Sequence, residues 1–187
     1  MFSPAAGLAA NLLGACGVLG NFAWPLFHRR ESMLAAQATA CAFFTAHFLL
    51  IGATTGAVMT MLAGLQALLA IPLGTRAGFR AVYLLTLPLT ALAVVLTWHG
   101  APSLFAAVGL ALTSLGRYQL RVLRFRSLIL ASIPAWSLHN VLVGSIPGLC
   151  SDALTLCSGG WMLMRTYRRA HPLQVQAACE DSAASGS

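Results

Sequence analysis

The sequence predicts an all-α protein: a polytopic membrane helical bundle of seven transmembrane helices, arranged as two parallel three-helix repeats joined by a linker helix. Three observations predict it. Of 187 residues, 58% are hydrophobic and 8% charged, with a mean hydropathy of +0.80 and no Lys, whereas a soluble domain carries about 25% charged residues. All eleven cationic residues are Arg, and they fall in four clusters separated by long apolar stretches: Arg29/Arg30, Arg76/Arg80, Arg117/Arg121/Arg124/Arg126 and Arg165/Arg168/Arg169. Finally, the motif H-x-x-L-h-G-x-x-x-G, with h an aliphatic residue, occurs twice, at His47 and again at His139, 92 positions later.

With a window of about 20 residues, the apolar runs centre on roughly 5–25, 33–52, 54–73, 81–99, 102–118, 127–144 and 148–166. Each is expected to be a helix, because in hydrocarbon backbone N–H and C=O groups must pair within their own segment. The first run follows Phe2, Ser3 and Pro4 without a cation, so the basic n-region of a cleavable signal peptide is lacking and the helix is expected to be retained. Its Gly14, Gly17 and Gly20 recur at a spacing that lets helix backbones approach closely. The second run ends on the first copy of the motif, and the third starts within it and closes at Pro72 before Arg76. The fourth contains Pro88 and the sixth Pro134, both expected to bend their helices. The fifth leads into the largest Arg cluster. The seventh carries Asp152 and ends at Arg165. Beyond His171-Pro172 the polar composition of residues 172–187 predicts a disordered cytoplasmic tail.

Counted along the chain, the Arg clusters follow the first, third, fifth and seventh runs, and the other three turns carry no Lys or Arg. The positive-inside rule then predicts an N-terminus outside and a C-terminus in the cytoplasm. The formal charge of +7 sits at membrane boundaries rather than on a soluble face. It therefore argues for membrane lipids as partners and against nucleic acid. Arg117 and Arg121, about one turn apart at the inner end of the fifth run, are assigned to topology and headgroup contact on the same ground, with the binding of an anionic group as the alternative. Cys16, Cys41, Cys150, Cys157 and Cys179 show no metal or redox spacing and are read as small apolar packing groups. No metal and no cofactor is expected. The chain lacks G-x-x-x-x-G-K-[ST], H-E-x-x-H and G-x-S-x-G, so ATP-driven transport by this chain alone and common hydrolase chemistry find no support, and no enzyme is expected.

The repeat sets the domain plan. At the 92-residue offset, Leu50, Gly52, Gly56 and Leu62 face Leu142, Gly144, Gly148 and Leu154, and Gly17 faces Gly109. Residues 1–73 then form one three-helix repeat, 74–100 the linker helix with its loops, and 101–171 the second repeat. Two units of three helices in the same orientation require an odd helix between them. Parallel repeats of this kind occur in transporters whose site lies at mid-membrane between the halves.

The second copy of the motif reads Trp136-Ser-Leu-His139-Asn140-Val-Leu-Val-Gly144-Ser145-Ile-Pro-Gly148, and this W-x-x-H-N-x-x-x-G-S-x-x-G string resembles the YgjV-type family of bacterial inner-membrane proteins. The resemblance runs from Arg29-Arg30-Glu31, through His47-Phe48-Leu49-Leu50 and Gly52, to Arg165, and it implies a multi-pass protein of the bacterial inner membrane. The three-plus-one-plus-three plan also looks like that of the SWEET, PQ-loop and PnuC transporters. Pro25 and Pro134 stand where hinge prolines of such sugar facilitators would, but Ala42 fills the matched position of the second helix and the fifth helix has no interior Pro.

Asp152 is the one acidic residue inside a predicted span, and an intramembrane carboxylate marks a functional site by default. At about 1.5 Å per residue, Asp152 and His139 lie at similar depth, and the pair is expected to meet. The candidate substrate-binding residues are His139, Asn140, Trp136 and Asp152, with His47 facing them. Asn140 and the two His residues are alternatively interhelical hydrogen-bonding groups, Trp136 a packing residue and Asp152 a helix-start residue favoured by the helix dipole. These residues predict a small-solute transporter or facilitator with a site between the repeats; the alternative is a non-transporting partner or assembly factor whose polar groups bond pairwise without a cavity.

Overall fold

The computed structural model describes the backbone of residues 4–73, 76, 78 and 81–184, and the side chains of 7–73, 76, 78 and 85–168. It contains seven α-helices: α1 (Pro4–Ala23), α2 (Arg30–Leu50), α3 (Thr54–Leu73), α4 (Ala81–Leu96), α5 (Ala101–Tyr118), α6 (Val122–Leu142) and α7 (Ile146–Ala184), with a single 3-10 turn at Trp24–Leu26 after α1. No strand occurs among the described residues. The helices match the seven apolar runs, with α6 beginning five residues earlier than expected so that Arg124 and Arg126 lie in its first turns. Residues 172–184, expected to be disordered, instead continue α7 as helix. Leu173, Gln174, Gln176, Ala177, Ala178 and Glu180 are good helix formers and no Gly interrupts them. Residues 185–187 lie outside the described residues.

Within the first repeat α1 packs on α2 and α2 on α3; within the second, α5 packs on α6 and α6 on α7. The halves join along two seams, α1 against α7 and α3 against α5. These seams exchange under a two-fold rotation that carries α1 to α5 and α3 to α7. Six helices therefore close a ring, and α4 lies outside it, against α5 and α3.

The repeat is visible at single bonds. Each motif ends its helix in the same Schellman turn: Gly52 has φ 77° and Gly144 φ 68°, Ala53 N–H bonds to Phe48 C=O and Ser145 N–H to Asn140 C=O, both at 2.9 Å. His47 Nδ1 lies 2.8 Å from Ala10 C=O, and His139 Nδ1 lies 2.9 Å from Pro102 C=O. All of these pairs are related by 92 residues.

The molecule is apolar outside and polar inside. Leu8, Leu12, Leu19, Leu68, Leu89, Leu92, Val95, Leu96, Trp161 and Met164 are exposed, whereas Gln37, His47, Gln66, Arg117, Arg126, His139 and Asn140 are buried. A soluble protein rarely exposes so large an apolar surface; lipid requires it. By length and composition, Gly7–Leu26, Arg30–Leu50 and Thr54–Leu73 are each long and apolar enough to cross a membrane.

At one end of the bundle, two Arg side chains tie the helices together. Arg30 donates to Ala70 C=O at 3.3 Å and to Arg117 C=O at 3.0 Å, and lies over the Phe125 ring. Arg126 donates to Phe27 C=O at 2.8 Å. Beneath them Trp24, Met33, Leu34, Ala67, Ala70, Phe125 and Ile129 form an apolar cluster.

Candidate functional site

The ring of six helices encloses a cavity of about 110 Å³ on the axis relating the repeats. Every helix of the ring contributes: Asn21 from α1, Gln37, Cys41, Phe44 and Phe48 from α2, Thr60 and Ala63 from α3, Thr113 and Arg117 from α5, Trp136 and Asn140 from α6, and Ser151, Asp152 and Thr155 from α7. Many of these fall in matched pairs: Phe44 with Trp136, Phe48 with Asn140, Thr60 with Asp152, Ala63 with Thr155 and Asn21 with Thr113. The positions are symmetric and the chemistry is not. The first repeat supplies three aromatic rings, Trp24, Phe44 and Phe48, with two amides and a hydroxyl, the second one aromatic ring, one amide, hydroxyls and both charged groups, Asp152 and Arg117.

Glycine sets the two aromatic walls. A Cβ on Gly17 would stand 2.7 Å from the Phe44 ring, and one on Gly109 would stand 2.8 Å from the Trp136 ring. Only Gly lets these rings lie flat on the neighbouring backbone. Gly148 likewise allows the Asn140 amide to lie against the first turn of α7.

Asp152 is held from α6. Asn140 Nδ2 and Ser137 Oγ both donate to its Oδ2 at 2.9 Å. Among the described residues no donor reaches Oδ1. In the first repeat the same places hold Thr45 and Thr60, whose hydroxyl oxygens lie 3.1 Å apart. The carboxylate thus replaces one hydroxyl of a symmetric hydroxyl pair.

Arg117 forms the opposite pole. It is 2% exposed, and its Nη1 donates to Gln66 Oε1 at 2.9 Å and its Nη2 to Gln37 Oε1 at 3.3 Å. Gln66 is fixed in turn: its amide lies 2.6 Å from Thr86 Oγ1 and 2.9 Å from Ser114 Oγ. This corrects the headgroup role expected for Arg117. The side chain runs back from the end of α5 into the bundle, where two glutamine carbonyls receive it.

The family model for Imp-YgjV, bacterial inner membrane proteins, matches residues 8–170. The chain belongs to this family. It is an integral protein of the bacterial inner membrane, in keeping with its inverted polarity. No curated protein and no solved structure matches the chain, so the likeness in helix plan to the SWEET, PQ-loop and PnuC transporters carries no further argument.

Of the sequence candidates in this Imp-YgjV chain, Trp136, Asn140 and Asp152 line the cavity and the two His residues do not. His139 does not meet Asp152. Its Nδ1–H is given to Pro102 C=O, its ring packs between Phe48 and Trp136, and its Nε2 is buried with no partner among the described residues, against Gly56. His47 bridges three helices. Its Nδ1–H bonds to Ala10 C=O, so its Nε2 accepts from Ser145 Oγ at 2.9 Å, and that oxygen accepts Gly148 N–H at 3.1 Å and caps α7. Sequence reasoning weighed Arg117 as an anion-binding group beside its headgroup role and missed Gln37, Gln66, Ser137 and Asn21. The two glutamines within apolar runs were the available signal, since a buried amide in lipid requires a partner.

Proposed function

We propose that this protein carries a small polar solute across the inner membrane, through a site on the axis between its two repeats. The observation that supports this reading best is the cavity to which all six ring helices contribute, with the Asp152 carboxylate on one wall. A non-transporting assembly factor, whose polar groups would bond pairwise, gives no reason for such a cavity or for a carboxylate that faces it. The chain acts as a carrier and not as an enzyme, with its N-terminus outside and its C-terminus in the cytoplasm, as the Arg clusters at one end of the bundle favour.

The test is thermal unfolding of the purified protein against a panel of small solutes, with Asp152→Asn beside it, followed by flux into liposomes for any compound that binds. Saturation at a hundred times the dissociation constant adds about 2.7 kcal/mol. A shift in the wild type that Asp152→Asn loses is expected. If no compound shifts the wild type, the carrier reading fails.

A further inference from the structure

One face of α7 changes character along its length. Leu154, Cys157, Trp161 and Met164 are exposed on it at spacings of three and four residues, which line them up along one side of a helix. Arg165 and Arg168 continue the same line, and both are exposed. Trp161, Met164, Arg165 and Arg168 together border one groove. The Arg165 guanidinium lies over the Trp161 ring, 5.6 Å from its centroid, and the ring face holds the charge there. Among the described residues neither Arg has an acidic partner; the ion pair found is Arg29 with Glu31, at 3.4 Å.

Depth decides what this face meets. Arg165 lies 165 − 146 = 19 residues beyond Ile146, where α7 starts, a rise of about 28 Å at about 1.5 Å per residue. The hydrocarbon core of a bilayer is about 30 Å thick. With the Gly144 turn at one boundary, the two Arg residues therefore fall at the other, where acyl chains give way to headgroups. Because α7 runs back along α6, this is also the end of the bundle where Arg126 lies.

We propose that Trp161, Arg165 and Arg168 form a binding site for an anionic phospholipid, with its phosphate on the two guanidinium groups and an acyl chain along Met164, Trp161 and Leu154. Charge complementarity selects this occupant. The guanidinium fork matches the oxygens of a phosphate. Two cations without acidic partners favour a headgroup of net negative charge over one whose phosphate is offset by an ammonium. The apolar side chains that precede them on the same face suit an acyl chain, for which a soluble anion has no counterpart. The lipid site is separate from the cavity between the repeats, so this proposal and the carrier reading stand or fall independently.

The experiment is native mass spectrometry of the full-length protein in detergent, titrated separately with phosphatidylglycerol, cardiolipin and phosphatidylethanolamine. At least one of the two anionic lipids is expected to bind at least tenfold more tightly than phosphatidylethanolamine. Arg165→Gln combined with Arg168→Gln is expected to remove that preference. Arg76→Gln combined with Arg124→Gln, which deletes the same charge from two other exposed positions, is expected to keep it. Phosphatidylethanolamine binding to the wild type as tightly as both anionic lipids overturns the proposal, whether or not the variants fold. A preference that persists without Arg165 and Arg168, or that falls equally in the Arg76/Arg124 control, overturns it as well.

Discussion

Both donors that reach Asp152 end on a single oxygen, and this decides what a substitution there does. In Asp152→Asn the side-chain carbonyl still accepts from Asn140 and Ser137, so the fold is expected to keep its stability to within about 1 kcal/mol. The charge facing the cavity disappears, and binding of any cationic group is expected to fall at least tenfold; thermal unfolding with and without ligand separates the two effects. The His residues behave in the opposite way. His47 joins α1, α2 and the start of α7 through two bonds, and His139 makes one. At about 0.6–1.7 kcal/mol per interhelical bond in membranes, His47→Ala is expected to cost about 1–3 kcal/mol and His139→Ala less, plus lost packing in each case. Asp152 was legible in the sequence because a single acid in an apolar run admits few readings. The His residues were not, because periodicity places a ring at a depth without saying which carbonyl lies beside it. Arg117 was misread for a related reason: its backbone sits at the membrane boundary, and only the structure shows the side chain turning inward.

Each repeat depends on glycine at two places, where it turns the chain and where it admits a ring. Gly52 and Gly144 adopt positive φ, which costs a residue with a Cβ about 1–2 kcal/mol. A Cβ on Gly144 would meet nothing within 4 Å, so the cost of Gly144→Ala is expected to be conformational alone, and chemical unfolding should return a value in that range. Gly109 is different in kind. An added methyl would press on the Trp136 ring, and Trp136 lines the cavity, so Gly109→Ala is expected to cost about 1–3 kcal/mol by overpacking and to weaken solute binding as well. Gly7→Ala, where an added Cβ meets nothing, is the control and is expected to leave both unchanged or to stabilise slightly. These elements were readable in advance because the repeated motif keeps its glycines: identical residues at a fixed offset perform identical backbone tasks. The Thr45/Thr60 and Ser137/Asp152 pairs escaped the same comparison because their geometry is retained while their side chains differ.

A carrier with its site on a two-fold axis works only if the halves move against each other, and the seams are where that motion must occur. Both seams carry hydrogen bonds, and the α3–α5 seam also packs Met59 and Ala63 on Ala106 and Leu110. Across α1 and α7, Asn21 Nδ2 donates to Ser151 Oγ at 2.8 Å, and Thr155 Oγ1 donates to Asn21 C=O at 3.3 Å. Across α3 and α5, Thr55 bonds with Ser103 at 3.0 Å and Gln66 with Ser114 at 2.9 Å. Hydroxyls and amides at a seam exchange partners at small cost, since each broken bond is worth only about 1 kcal/mol in a membrane, whereas interlocked apolar packing does not reform so readily. Orientation is tested first: a reporter that folds only in the cytoplasm, fused after Ser187, is expected to be active, and the same reporter before Met1 is expected to be silent. Motion is tested at the α1–α7 seam. Asn21→Cys and Ser151→Cys, in a background where Cys16, Cys41, Cys150, Cys157 and Cys179 are replaced, place two thiols close enough for a mercuric ion to bridge. If the halves rock, bridging is expected to abolish solute flux into liposomes relative to the same variant without the ion, while solute binding measured by thermal shift stays at that variant's own unbridged level, and a thiol that strips the ion is expected to restore flux. Undiminished flux through the bridged protein would mean that the α1–α7 seam stays closed throughout the cycle, which would confine any opening to the α3–α5 side and rule out symmetric rocking of the two repeats.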